Sequence, residues 1–213
     1  MSMLDDVQRV LISEEGLHTG IDAVAGEMNA VYSDEDFPIL VCILKGAFMF
    51  LADLTRRLTF RHELDFMEIS SYGKGTTSSG AVRILLDLAA NIEGRHVVIV
   101  EDIVDTGHTL DYILRNFASR NPASVRVATL LNKPSRREIE VPVDYSGFEI
   151  PNEFVIGYGL DYAEQYRNLP FIGVLKPEVY EQEPEDRVKA VPVSRGGLSV
   201  DHGRAVPIGP DLR

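Results

Sequence analysis

Tryptophan is missing from this chain of 213 residues, and cysteine occurs once. A lone thiol forms no internal disulfide and builds no zinc site, so cross-links and cysteine-based metal centres are excluded. Cys42 lies inside the apolar run Ile39-Leu40-Val41-Cys42-Ile43-Leu44 and reads as a core residue. Positive charge is scarce as well: 21 Lys and Arg stand against 33 Asp and Glu, a formal net charge of −12. A surface this acidic repels a phosphate backbone, which argues against nucleic acid as a partner. A small phosphate or diphosphate is not excluded, because backbone N–H groups and a bridging metal ion can hold one. A convincing membrane span is lacking too. The most apolar stretch, Phe37 to Leu54, is broken by Pro38, Lys45, Gly46 and Asp53 and reads as strand–turn–helix. Met1 to Arg9 has no basic-then-apolar signal pattern, so a soluble, cytoplasmic protein with no membrane partner is expected.

Hydrophobic residues make up 45% of the chain and charged residues 25%, ordinary globular values in a length that suits one α/β domain. Ser13 followed by Glu14 and Glu15 predicts a helix start, with Leu17, Ile21, Val24, Met28 and Val31 at helical spacing. Phe37–Leu44 predicts a buried strand, Lys45-Gly46 a turn, and Ala47 to Leu58 a helix. Further strands are expected at Leu64–Ser70, Val82–Leu86, Val97–Val100, Val125–Leu131 and Phe154–Ile156, with a helix at Thr109–Ala118. Strands alternating with helices predict an open, mainly parallel sheet flanked by helices. Between two strands, Ser71 to Gly80 is too polar and glycine-rich for regular structure. Residues 1–180 are expected to form the domain, and 181–213, with scattered Pro, Gly and charge, an extended tail.

The most informative segment runs His96-Val97-Val98-Ile99-Val100-Glu101-Asp102-Ile103-Val104-Asp105-Thr106-Gly107-His108-Thr109-Leu110. A buried strand ends in two carboxylates, and a short loop closes into a helix. In open parallel sheets ligands sit just beyond the carboxyl ends of strands. The Asp105–Thr109 loop offers a glycine for tight turning, two threonine hydroxyls and a helix N-terminus, a set of donors suited to a phosphomonoester. Glu101 and Asp102 can accept hydrogen bonds from the vicinal hydroxyls of a sugar, so the segment describes a holder for ribose 5-phosphate. The acidic strand of a nucleoside triphosphatase would also end in carboxylates, but its G-x-x-x-x-G-K-[ST] loop is absent.

Glu101 to Leu110 resembles the 5-phosphoribosyl 1-diphosphate (PRPP) signature of the type I phosphoribosyltransferases. Leu44-Lys45-Gly46-Ala47, Ser71-Tyr72-Gly73, Leu131-Asn132-Lys133 and Phe154 to Tyr162 are similar to segments of the hypoxanthine-guanine branch. The resemblance spans Leu11 to Tyr180 and implies that family's fold, with a small hood over the base. It implies that Glu101, Asp102, Asp105, Thr106, Gly107, His108 and Thr109 hold the ribose phosphate. Lys45, Gly46, Ser71, Tyr72 and Arg167 would meet the diphosphate, with a non-proline cis peptide at Leu44–Lys45. Asp105 would act as general base or acid at purine N7, with desolvation in the closed site raising its basicity. His108 acts through its backbone and is given no catalytic role. Lys133, a donor only, suits the carbonyl oxygen at purine position 6 and opposes the amino group of adenine. Phe154 would stack on the base, and backbone at Val155 and Asp161 would meet its edge. Magnesium is the implied cofactor, with Asp161 and secondarily Glu101 as ligands. Ser71 to Gly80 would close over the site and exclude water. PRPP and a 6-oxopurine are the implied partners, and a homodimer or homotetramer the implied assembly. Two alternatives remain open at this point: a PRPP-binding regulator of the same fold, and a transferase for another base such as xanthine or orotate.

Overall fold

The structure is a computed structural model that describes residues 2–71 and 82–181. The expected mobile loop, Tyr72 within it, and the C-terminal tail lie outside the described residues, as does the side chain of Ser71. Among the described residues nine strands run in chain order: β1 (Val7–Ile12), β2 (Ile39–Leu44), β3 (Glu63–Ser71), β4 (Val82–Leu86), β5 (His96–Val104), β6 (Ser124–Asn132), β7 (Tyr145–Glu149), β8 (Val155–Ile156) and β9 (Ile172–Leu175). The helices are α1 (Glu14–Asn29), α2 (Phe48–Thr55), α3 (His108–Ala118) and the single turn α4 (Pro177–Tyr180).

Six strands form the main sheet in the order β4-β3-β2-β5-β6-β7, parallel throughout except for the antiparallel edge strand β4. Alternate residues of the inner strands enter opposite cores, because successive side chains point to opposite faces. Leu40, Cys42, Val98 and Val100 pack with α1 and α2. Ile39, Val41, Ile43, Val97 and Ile99 pack with Leu110, Ile113 and Phe117 of α3. Burial pushes the Cys42 thiol up to about 12, so it stays protonated and inert. The chain leaves β2 toward β3 on one side and leaves β5 toward β6 on the other. The crevice at the carboxyl ends of β2 and β5 is therefore the topological switch point, where α/β sheets bind ligands.

A second, antiparallel sheet of order β1-β9-β8 forms the expected hood. Tyr158, just after β8, donates its hydroxyl to Asp53 Oδ2 of α2 at 2.5 Å and ties the hood segment to the main body. Among the described residues, no helix is long and apolar enough to cross a membrane.

The expected helix start holds: the Ser13 hydroxyl accepts the Gly16 N–H at 3.1 Å, and Leu17, Ile21, Val24 and Met28 are buried. Val31 does not belong to that face. The helix ends at Asn29 and Val31 is 45% exposed. Phe37 also falls outside its strand, because it takes a φ of +36° ahead of Pro38. The helix expected over Ala47–Leu58 spans only Phe48–Thr55. The main correction concerns the acidic pair. β5 continues to Val104, with Glu101, Ile103 and Val104 in register with Thr129, Leu131 and Asn132 of β6. The carboxylates therefore lie within the strand, since β6 keeps offering backbone partners that two side-chain charges cannot outweigh.

Candidate active site

Three adjoining cavities meet around Ile103 in the switch-point crevice. The smallest, about 210 Å³, is lined by Glu101, Ile103, Val104, Asp105, Thr106, Gly107, Thr109 and Leu110, one unbroken piece of chain apart from two positions. Gly107 caps α3 with a φ of +92°, and a Cβ there would lie 2.4 Å from the Ile139 carbonyl oxygen. Only glycine fits this turn. Residues 133–139 strap the loop from outside: Lys133 N–H donates to Val104 O at 3.0 Å, and Glu138 and Ile139 N–H donate to Thr106 O at 2.9 and 3.1 Å. His108 turns its ring away, with Nε2 2.7 Å from Glu138 Oε2, so only its backbone serves the loop. Among the described residues, no lysine or arginine lines this cavity. Its attraction for an anion rests on backbone N–H groups and the positive end of α3.

The second cavity, about 260 Å³, is lined by Lys45, Gly46, Glu101, Asp102, Ile103, Thr109, Asp161 and Arg167 with Ile43, Leu44 and Ile69. The Leu44–Lys45 peptide is cis, as the resemblance implied. Asp102 packs against the Gly46 backbone so closely that a Cβ there would lie 1.5 Å from Asp102 Oδ2. Gly159 approaches from the hood side with a φ of +101°, and its Cβ would lie 2.0 Å from the Gly46 carbonyl oxygen. Two loops and strand β5 thus converge at contact distances that admit no side-chain carbon. Burial drives the Glu101 carboxyl well above its usual range, and the neighbouring Asp102 adds to the rise. Burial likewise pushes Asp102 up to about 6, against the Ile103 N–H that its carboxylate accepts. Arg167 donates to Gly159 O at 2.7 Å and pairs with Asp161 Oδ1 at 2.9 Å.

A divalent cation suits this donor set in one way only. Among the described residues no group of three His, Cys, Asp or Glu could hold a metal. Asp161 and Glu101 instead present separate carboxylates on one cavity, which fits magnesium held by one or two carboxylates and otherwise by substrate oxygens and water.

The third cavity, about 630 Å³, lies under the hood and is lined by Asp105, Lys133, Arg136, Phe154, Val155, Leu160, Asp161 and Tyr180, among others. Lys133 is only 5% exposed, with Nζ 3.7 Å from Asp105 Oδ2. Burial lowers its pKa, and the Asp105 charge partly offsets that. Arg136 Nε lies 3.3 Å from Asp105 Oδ1, an oxygen with no hydrogen-bond partner. Phe154 is 39% exposed and therefore no core residue. It stacks on Tyr180 at 4.9 Å and meets the edge of Tyr162 at 5.7 Å. The Val155 backbone is in register with Val174 of β9.

The structure therefore brings together every expected site residue whose side chain it describes, except the outward ring of His108. Sequence reasoning missed Arg136, Glu164 and Tyr180. Arg136 had a usable signal: it lies three residues after Lys133 on a 3-10 turn, where positions i and i+3 eclipse. Glu164 had only its spacing of three residues from Arg167, since its other partner Lys45 is 119 residues away.

Residues 13–163 match a family described as the phosphoribosyl transferase domain. Over 179 residues the chain is 49% identical to the hypoxanthine-guanine phosphoribosyltransferase of Bacillus subtilis, covering 84% of this chain and 99% of that one. It is 51% identical over 181 residues to the bifunctional protein TilS/HprT of Listeria monocytogenes, covering 85% of this chain. The chain spans only 28% of that relative's length. A crystal structure of a hypoxanthine phosphoribosyltransferase from Staphylococcus aureus is similar with a TM-score of 0.79 and 45% identity, covering 84% of this chain and 96% of that one.

Proposed function

The chain belongs to the phosphoribosyltransferase family, in its hypoxanthine-guanine branch, and on that premise we propose that it moves the 5-phosphoribosyl group of PRPP onto N9 of hypoxanthine or guanine. In the reaction the bond from C1′ to the diphosphate breaks, the bond from C1′ to N9 forms, and the proton on N7 leaves. The products are a nucleoside monophosphate and diphosphate, with magnesium as cofactor.

The observation that carries this reading is the position of Asp105. Asp105 lines both the loop cavity and the hood cavity, and so stands where a ribose phosphate and a base would meet. The loop from Thr106 to Thr109 binds the 5′-phosphate through backbone and hydroxyl donors. Lys45, Gly46 and Arg167 hold the diphosphate. Asp161 and Glu101 would hold magnesium, which would supply Lewis-acid stabilisation of the leaving diphosphate. Lys133 donates to the oxygen at purine position 6, and Phe154 supports the ring face. Asp105 accepts the N7 proton as N9 attacks. The 6-amino group of adenine would face the Lys133 ammonium donor to donor, which excludes it.

Net charge opposes the alternative of a nucleic-acid-binding regulator, since the chain carries −12. The test is a panel of free bases mixed with PRPP and Mg²⁺, reading nucleotide formation. Hypoxanthine and guanine should react and adenine should not; binding of PRPP with no turnover on any base would overturn the proposal.

A further inference from the structure

The two cations on the diphosphate side already share an anion that belongs to the protein. Lys45 Nζ lies 3.4 and 3.3 Å from Oε1 and Oε2 of Glu164. Arg167 Nη2 lies 3.2 Å from the same Oε2. Burial does not put Glu164 there, because its side chain is 66% exposed. The backbone does. Ala163, Glu164 and Tyr166 take φ values of +53°, +62° and +74°, a region that L side chains enter at a cost. The turn is closed by reciprocal backbone bonds between Tyr162 and Gln165, and by the Glu164 N–H, which donates to Asp161 Oδ2 at 2.8 Å. A carboxylate bridging an ammonium and a guanidinium makes the same charge-assisted contacts that two phosphate oxygens would make. Arg167 also carries a buried Nε with no hydrogen-bond partner.

We infer that Glu164 is an internal stand-in for the diphosphate: it engages Lys45 and Arg167 in the free protein and gives them up when diphosphate binds. It thereby sets the affinity of that seat. The inference rests on the proposed reading that Lys45 and Arg167 hold the diphosphate. Exposed ion pairs are weak, so the exchange tunes affinity without blocking the site. Removing the internal anion should leave both cations free for the ligand.

The test is calorimetric titration of the full chain with sodium diphosphate at fixed Mg²⁺, with inosine 5′-monophosphate as a second ligand. Glu164→Gln should tighten diphosphate binding by about three- to ten-fold, the scale of an exposed charge network. Binding of the nucleotide should not move. Glu164→Ala should shift diphosphate binding in the same direction and guards against a folding defect in the first variant. In a Lys45→Gln background the gain should shrink, because one of the two released cations is gone. Wild-type or weaker diphosphate affinity in both Glu164 variants, with Lys45→Gln and Arg167→Gln each weakened, would overturn the inference and leave the seat in place. Wild-type affinity in Lys45→Gln and Arg167→Gln would overturn the seat itself.

Discussion

The phosphate end and the base end of this crevice are made from chain in opposite ways. Among the described residues, the cavity at the α3 N-terminus is lined from residues 101–110 alone, and its binding groups are mostly backbone. The cavity under the hood draws on Gln8, Lys133, Phe154, Asp161, Leu175 and Tyr180, which meet only in the folded protein. A backbone seat tolerates side-chain change except where a Cβ would intrude, as at Gly107. A side-chain seat fails one chemical group at a time. The first end suits a ligand part common to all substrates, the second a part that must be told from its competitors.

The largest expected effect lies where the two ends join. Asp105→Asn should lower turnover by about 10²- to 10⁴-fold, the range of a lost general base, while PRPP binding changes little. Equal loss of turnover and PRPP affinity would show that Asp105 belongs to the phosphate seat alone. Next is Gly159→Ala, which sets a Cβ 2.0 Å from the Gly46 carbonyl at a left-handed backbone position. It should cost about 1–3 kcal/mol in urea unfolding and loosen diphosphate binding. Unchanged stability would mean the loop contact is dispensable.

Lys133→Ala is a base-end change alone. It should reduce the preference for hypoxanthine over adenine by about ten-fold or more, with PRPP binding intact. Unchanged selectivity would place discrimination elsewhere under the hood.

The smallest effect concerns Asp102, whose carboxyl is raised from 3.8 to about 6 by burial. The folded state then holds this proton more tightly than the unfolded chain does. Its contribution to stability is full below about pH 3.8 and is lost as pH rises through about 6. Asp102→Asn removes that loss and should gain on the order of 1–2 kcal/mol at pH 7.5 in metal-free buffer, with no gain near pH 4. A gain independent of pH would assign it to packing against Gly46.

The same contrast explains what could be read from the sequence. The phosphate end was legible because ten consecutive residues carry it, and the helix start at Ser13 and the double-sided core of β2 and β5 follow local rules. The hood was only partly legible. β1 alternates poorly, with most of Val7–Val10 exposed or half-exposed, and β9 is a four-residue apolar run that could equally be buried helix. β7 carries Ser146 and Gly147 in its middle, which weakens its strand signal. The acidic pair misled for a physical reason: charge suggested a strand end, and backbone pairing with β6 carried the strand on past both carboxylates to Val104. Glu164 depends on left-handed backbone at non-glycine residues, which no composition signals.

The most direct measurement is a crystal structure of the protein soaked with inosine 5′-monophosphate. The phosphate should lie against the backbone N–H groups of Thr106 to Thr109, with the ring beside Phe154 and the 6-oxygen within hydrogen-bonding reach of Lys133 Nζ. A nucleotide bound with its phosphate away from that loop would contradict this placement.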